Sequence, residues 1–169
     1  VGRFSKVKRI DRFLKLLALS SREGIIDSYK FMAFDHEKDT REEVLKELEL
    51  INLQGKVFTN GNTTSIYDIL KYGDILVNLS EEKGINKVML EASALGVPVM
   101  TTSEIYYSIF TKYKSLSLIE PFSVNKAIKK LKIWKNLDLN KKINAQKQSI
   151  KLAKTFSTEN LINKLISFN

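Results

Sequence analysis

The chain of 169 residues has no cysteine, only one histidine and only two prolines. The lack of cysteine excludes disulfides and thiolate nucleophiles, and it favours a cytoplasmic setting. A histidine metal site or a Ser-His-Asp triad would need His36, and an exposed loop histidine is the simplest interpretation of its polar segment, FDHEKD. No apolar run reaches the roughly 20 residues of a membrane span, and no signal peptide is apparent. The sequence begins at Val1 inside an apparent strand, so we expect more chain upstream.

Acidic residues are scarce towards the carboxyl end. Residues 1–120 hold 17 basic and 17 acidic residues, whereas residues 121–169 hold 11 basic and 2 acidic ones and carry the whole net charge of +9. This basic part is interpreted either as a solvated helical face or as a surface that contacts an anionic membrane. Nucleic acid is not expected as a partner, because the basic part has few aromatic residues and no known nucleic-acid module.

Short β-rich runs alternate with helical patterns through the first 120 residues. Strands are predicted at 1–4, 29–34, 56–59, 74–79, 97–101 and 115–119, and helices at 8–18, 39–53, 66–72, around Glu91 and near 103–112. Three helices follow Pro121, at 123–134, 136–156 and 157–168, with Ser123 and Ser157 as N-caps. This order predicts an α/β fold with a doubly wound parallel sheet, in which the terminal helices pack on the same domain.

In such a sheet, ligands bind outside the carboxyl ends of the strands. The segment LSEEKGINKVMLEASALGVPVMTT, from Leu79 to Thr102, follows a strand and places Glu91 among apolar residues. A carboxylate there is costly unless it is hydrogen-bonded or faces a cleft, and the hydroxyls of a ribose are suitable donors to it. From these residues alone, a glutamate on the polar face of a half-buried helix is an equally good interpretation.

The segment DILVNLSEEKGINKVMLEASALGVPVMTT resembles the signature of retaining glycosyltransferases with the GT-B fold, the family called group 1 or family 4. That signature is a strand, a serine, and then E-G-F-x-x-x-x-x-E-A-x-A-x-G-x-P-V. The opening VGRFSKVKRIDRFLKLL is similar to the family pattern V-G-R-L-x-x-x-K-G-x-D-x-L-L. The resemblance implies the Rossmann-like, donor-binding half of a GT-B fold, over residues 1–120, with the acceptor-binding domain elsewhere in a longer protein.

The resemblance also assigns roles to individual residues. Arg3 and Lys8 fall on the basic pair that grips the donor diphosphate, and Glu91 falls on the glutamate of the ribose. The positions expected to meet the donor are Ser80, Lys83, Gly84, Ile85, Asn86 and Lys87, from a helix that starts near Gly84, with Asn60 and Gly61 near the base. The implied function is transfer of a hexose from a UDP- or GDP-sugar, without a metal or other cofactor and at or near the cytoplasmic membrane face.

Some positions depart from the family pattern. Lys83 replaces the first glutamate of the signature, and Glu82 or Glu81 would take over its role only if the turn shifts by one residue. FDHEKD replaces the glycine-rich turn after the second strand, and SEIYYSIF replaces a glycine pair after PVMTT. A non-catalytic GT-B relative that acts as a binding or regulatory module is therefore the alternative interpretation.

Overall fold

The computed structural model describes residues 2–3, 8–34, 38–51, 54–58, 66–70, 73–81, 86–102 and 122–157. This part of the chain holds five strands: β1 (Gly2–Arg3), β2 (Ser28–Phe34), β3 (Gln54–Phe58), β4 (Leu76–Asn78) and β5 (Val99–Thr101). Its six helices are α1 (Ile10–Arg22), α2 (Lys38–Glu49), α3 (Ile66–Leu70), α4 (Lys87–Ala94), α5 (Val124–Lys135) and α6 (Leu139–Thr155).

Every recorded strand pair is parallel. The strands form a three-stranded sheet in the order β1-β2-β3 and a pair β4-β5. Arg3 lies beside Phe34, and Asn78 lies beside Thr101, so the carboxyl ends of paired strands lie next to each other. Parallel neighbours need crossover connections, which α1, α2 and α4 supply. The predicted α/β class with parallel strands is confirmed.

Helices cover both faces of the β4-β5 pair. Successive strand residues point to opposite faces, and the two core clusters around this pair divide accordingly. Leu76 and Val99 pack with residues of α4 and with Leu152 of α6. Val77 and Met100 instead belong to the cluster formed by α1 and α5. The strand pair is therefore sandwiched in the doubly wound manner that the sequence predicts, with α5 on one face and α6 on the other.

A third cluster joins α1 to α2. Leu14 and Leu17 of α1 pack with Val44 and Leu48 of α2, and the partly buried Tyr29 of β2 lies against them. Burial raises the pKa of the Tyr29 phenol. The apolar residues of α1 recur at the helical spacing that predicted this helix, so it buries one face on α2 and another on α5.

Glycine ends two of the helices in the same way. After α4, Gly96 adopts a left-handed φ of 76°, its N–H bonds the Ser93 carbonyl, and the N–H of Val97 bonds the Ala92 carbonyl. Gly24 repeats the pattern after α1 with a φ of 58°. These paired bonds form the Schellman motif, which requires a left-handed residue that glycine adopts without steric cost.

Several predicted boundaries are wrong by a few residues. Helix α1 spans Ile10–Arg22 instead of 8–18, because the turn at Gly24 ends it. Helix α2 ends at Glu49 instead of 53, because Gln54 already pairs with Ser28 of the sheet. Strands β4 and β5 are shorter than predicted at 74–79 and 97–101. The predicted helix near 103–112, the strand at 115–119 and the helix after Ser157 lie outside the described residues.

Side-chain caps start both carboxyl-terminal helices. The hydroxyl of Ser123 accepts a bond from the N–H of Lys126, so the predicted N-cap of α5 is confirmed. Helix α6 begins at Leu139, and the expected start at 136 is wrong because the carboxylate of Asp138 accepts the N–H of Lys141 at 2.9 Å. No described helix is both long and apolar enough to cross a bilayer.

The Asp138 cap predicts a pH dependence of stability. Bonds from the backbone and side chain of Lys141 hold the pKa of Asp138 below its usual value. Its contribution is present above the unfolded-state pKa of about 3.9 and is lost as the pH falls through the lower folded-state pKa. Asp138→Ala should lower the melting temperature at neutral pH, with a difference from the parent that shrinks in acid, in thermal scans from neutral to acidic pH.

Asp138→Asn is the matched control, because asparagine caps helices equally well and does not titrate. The melting temperature of this variant should be close to that of the parent at neutral pH. In acid it should be higher than that of the parent. An Asp138→Ala difference that is the same at every pH would contradict the assigned role of the carboxylate.

Candidate active site

The carboxyl end of β4 is fixed by a compact hydrogen-bond network. The side-chain oxygen of Asn78 accepts bonds from the N–H and the hydroxyl of Ser80, at 3.1 and 2.8 Å. The hydroxyl of Thr102, which follows β5, donates to the Ser80 carbonyl at 3.1 Å. Asn78 and Ser80 are buried, so these bonds satisfy polar groups that would otherwise be costly at this edge.

Two arginines join the start of α1 to this same edge. Arg12 donates to the carbonyl of Leu79 at 3.3 Å and to the carboxylate of Glu81 at 3.0 Å. Arg9 donates to the same oxygen of Glu81. The guanidinium of Arg12 also lies 5.0 Å above the ring of Phe122, at cation–π distance. The segment before α1 and the loop after β4 are thereby held together, although about 70 residues separate them.

Arg9 has an unusual backbone conformation. Its φ and ψ of 49° and 52° are left-handed, and it stands where the family pattern K-G-x-D has glycine. Glycine adopts this conformation easily, which explains the preference in the pattern. Arg9 makes a bidentate contact with Asp11, both bonds being 2.9 Å long. This contact lowers the pKa of Asp11 and raises the pKa of Arg9.

Removal of the Glu81 carboxylate should lower the free energy of unfolding. The side chain of Arg12 is only 17% exposed, so Glu81→Ala would leave a largely buried cation with the Leu79 carbonyl as its recorded acceptor. We expect a loss of about 1 kcal/mol in urea unfolding. Glu23→Ala, which breaks the more exposed pair with Lys132, should change it by less than about 0.5 kcal/mol. An equal loss of unfolding free energy in the two variants would contradict the stabilising role of Glu81 beside the largely buried Arg12.

A cavity of about 380 Å³ runs along β4, and its lining includes Lys8 and Ser80. At the carboxyl end of β4 it is lined by Asn78 and Ser80, and Lys8 is also among its lining residues. Much of the remaining wall is apolar, with Leu16, Leu17 and other core side chains, so the cavity is not shaped for a polar ligand along its whole length. Two residues predicted for the donor site, from distant segments, thus line the same cavity.

Helix α4 begins at Lys87, and its expected start near Gly84 is wrong. Asn86 has an extended backbone, and its side chain accepts the N–H of Val88 at 3.3 Å, which makes it the N-cap. The amide of Val88, in the first turn of α4, is therefore already bonded within the chain. The N-terminal end of α4 keeps its positive dipole.

Glu91 lies one turn into α4, on the partly exposed face of the helix. Its side chain is 32% exposed, and its carboxylate lies 3.6 Å from the ammonium of Lys87, which is 89% exposed. The neighbours Val88, Met89 and Ala92 are buried. Glu91 is not part of the cavity wall beside β4. The carboxylate is therefore accessible to a ligand. Its ion pair with the exposed Lys87 is weak, because exposed ion pairs contribute little to stability.

Several predicted site residues lie outside the described part of the chain. These are the side chain of Arg3, whose backbone ends β1, and Asn60, Gly61, Lys83, Gly84 and Ile85, together with His36 and Glu82. Among the described residues, no group of three or more histidine, aspartate or glutamate side chains is arranged to hold a metal ion. The predicted convergence of Arg3, Lys8 and Glu91 on one nucleotide stays a prediction.

Arg9, Arg12 and their acceptor Glu81 were not predicted from the sequence as a contact. Arg9 could have been found, because an arginine at the glycine position of a family pattern signals a special local contact. Asp11, two residues later, supplies that contact. No signal in the sequence indicates that Glu81 pairs with Arg9 and Arg12, because the pairing depends on how the sheet brings distant segments together.

The comparisons with known proteins identify one family and one fold. Residues 1–154 match the family described as Glycosyl transferases group 1. No curated protein matches the sequence. The catalytic domain of cholesterol-alpha-glucosyltransferase from Helicobacter pylori has a similar fold, with a TM-score of 0.71 and 22% identity over 93% of this chain and 96% of that chain.

Two further solved structures have the same fold. The C-terminal domain of the group 1 glycosyl transferase LpcC from Francisella tularensis gives a TM-score of 0.69 at 19% identity, over 92% of this chain and 83% of that domain. Anabaena HepE, solved with UDP and glucose, gives 0.74 at 17% identity over 98% of this chain. The chain spans only 46% of HepE. With the family match over residues 1–154 and the parallel α/β architecture, the chain belongs to the group 1 glycosyltransferases, whose solved relatives have the GT-B fold.

Proposed function

We propose that this chain is the donor-binding half of a retaining glycosyltransferase and that it binds a UDP- or GDP-sugar at the carboxyl ends of its strands. The observation that carries the proposal is the junction of two distant segments at one edge, where Arg9 and Arg12 contact Glu81 and where Lys8 and Ser80 line one cavity. The structure of HepE with UDP and glucose, and that of pneumococcal GtfA with UDP and GlcNAc, support a nucleotide sugar as the ligand.

Each group has a chemical task in this proposal. Cleavage of the bond between the sugar and the diphosphate leaves negative charge on the leaving group. Arg3 and Lys8, which fall on the basic pair of the family pattern, offset that charge in place of a metal ion. The partly exposed carboxylate of Glu91 accepts bonds from the ribose hydroxyls. The positive end of the α4 dipole faces the sugar and phosphate oxygens.

The acceptor-binding domain lies in another part of the protein under this proposal. Solved relatives such as HepE and GtfA are more than twice as long as the region this chain matches. The isolated chain should therefore bind nucleotide but not transfer sugar. The choice of hexose and of acceptor depends on contacts made by that other domain and by the loops at the strand ends.

Isothermal titration calorimetry with UDP and with GDP tests the proposal. One of the two nucleotides should bind with saturable heat at millimolar concentration or below, and Glu91→Ala should weaken that binding about tenfold or more. The matched control is Glu47→Ala, which removes an exposed carboxylate of α2 and should leave the affinity unchanged. No heat with either nucleotide, or equal affinity in both variants and the parent, would overturn the proposal.

A non-catalytic relative is the alternative, and Lys83 in place of the first signature glutamate favours it. Transfer assays on the full-length protein separate the two functions. Turnover by the unmodified protein would exclude the non-catalytic function. If only Lys83→Glu restores turnover while UDP or GDP binds equally well to both proteins, the natural chain is a binding module.

A further inference from the structure

One face of α6 exposes apolar side chains along its length. Leu139 is 72% exposed, and Ile143 and Ile150 are each 37% exposed. Their spacings of four and seven residues place them in a single stripe, since a helix turns about 100° per residue. Ala145, Ser149 and Leu152, which are fully buried, occupy the opposite side of the helix. Leu139 and Ile143 therefore face solvent, whereas Ile150 is partly exposed and also lies against the turn at Gly96.

Lysines lie beside this stripe, on a helix whose own sequence has no acidic residue. Lys147 and Lys154 follow Ile143 and Ile150 by one helical turn, and Lys151 follows Lys147. All three are exposed. Leu139–Thr155 contains no aspartate or glutamate, and Asp138, which caps the helix, pairs with Lys141. Within the described part of the chain, Lys147 and Lys151 have no recorded ion pair.

Two lysines of α5 have partners in the segment that follows α1. Lys132 pairs with Glu23, and Lys135 lies near Asp27 and donates to the Gly24 carbonyl. Ile133 is the single large apolar residue that α5 exposes. The helices α5 and α6 pack on opposite faces of the β4-β5 pair and meet where Lys142 donates to the Lys135 carbonyl.

We infer that the outer face of α6, defined by Leu139, Ile143, Lys147, Ile150, Lys151 and Lys154, docks on a bilayer that contains anionic phospholipid. An apolar stripe bordered by lysines is the pattern of a helix that lies in the membrane interface, with its aliphatic side chains among the acyl chains and its ammonium groups at the headgroup phosphates. The inference is independent of the proposed nucleotide site.

A bilayer fits this face better than a nucleic acid does. Proteins that grip single strands stack the bases on exposed aromatic side chains, and those that grip duplexes need a basic groove without an apolar ridge. Trp134, the one tryptophan of the chain, is buried, and α6 itself contains no aromatic residue. The exposed leucine and isoleucines have no role in contact with phosphate backbones, whereas a bilayer removes them from water.

Vesicle co-sedimentation of the 169-residue chain tests the inference. The vesicles are phosphatidylcholine alone and phosphatidylcholine mixed with phosphatidylglycerol, at low and at high salt. Each lysine at an anionic surface strengthens partitioning by about fivefold, so Lys147→Glu/Lys151→Glu should weaken binding to the mixed vesicles by at least about 25-fold. Ile143→Asn should weaken it with no change of net charge.

The matched control is Lys126→Glu/Lys129→Glu, which makes the same change of net charge on exposed lysines of α5. It should retain most of the binding, and circular dichroism should show that all variants are folded. The inference is overturned by no binding to the mixed vesicles, by equal binding to phosphatidylcholine alone, by equal losses in the α5 and α6 variants, or by tighter binding to a DNA duplex that the α6 variant abolishes.

Discussion

Leu152→Ala is expected to lower the free energy of unfolding by about 2–5 kcal/mol, as large-to-small substitutions in packed cores do. Leu152 lies on α6, has no exposed surface, and packs in the cluster that contains Met89 of α4 and Val99 of β5. Alanine would leave a cavity between the helix and the strand pair. The smaller residues Ala92, Ser93, Ala145 and Ser149, which are fully buried on α4 and α6, let these helices approach closely, so the site has little room to collapse.

Leu139→Ala on the same helix is the matched control. Leu139 is largely exposed, so this change should cost less than about 0.5 kcal/mol in the same urea or guanidinium unfolding experiment. The contrast also tests whether the basic carboxyl-terminal helices fold as one unit with the strands. If Leu152→Ala proved as mild as Leu139→Ala, α6 would not share the core described above.

Lys8→Ala is expected to weaken the binding of UDP or GDP by about tenfold to hundredfold. A charge-assisted hydrogen bond to a phosphate contributes about 1.5–3 kcal/mol, and the ammonium group is the part of Lys8 that alanine removes. Lys8 stands before α1 and lines the same cavity as Ser80, where the diphosphate is proposed to bind. Calorimetry of the variant with the nucleotide that the parent prefers measures the loss.

Lys15→Ala makes the same change of charge on an exposed position of α1 and should leave the affinity within about twofold of the parent, because exposed charges beyond about 10 Å are screened at ordinary salt. Comparable losses in the two variants would mean that net charge, and not a specific contact by Lys8, controls the affinity.

Periodicity in the sequence was enough to predict the class of fold and the position of each described element. The alternation of strands and helices and the apolar spacing of α1 are local signals, and so is the cap at Ser123. Errors arose where tertiary contacts override such signals. The sheet register ends α2 at Glu49, and the side chain of Asn86 delays the start of α4.

The candidate site was only partly predictable from the sequence. The resemblance to the family indicated Lys8, Ser80 and Glu91 because their neighbours match its patterns. The contacts of Arg9 and Arg12 with Glu81 were not predictable, since these residues are about 70 positions apart in the sequence. Such pairs depend on how the end of β4 meets the start of α1, which is a property of the packed fold.

The decisive experiment for the proposed donor site is a crystal structure of this chain with bound UDP or GDP. We expect the diphosphate to contact the side chains of Arg3 and Lys8 and the ribose hydroxyls to donate to the carboxylate of Glu91, all at the carboxyl ends of β1 and β4. A nucleotide bound elsewhere, or density in which Glu91 remains with Lys87 and away from the ribose, would contradict this expectation.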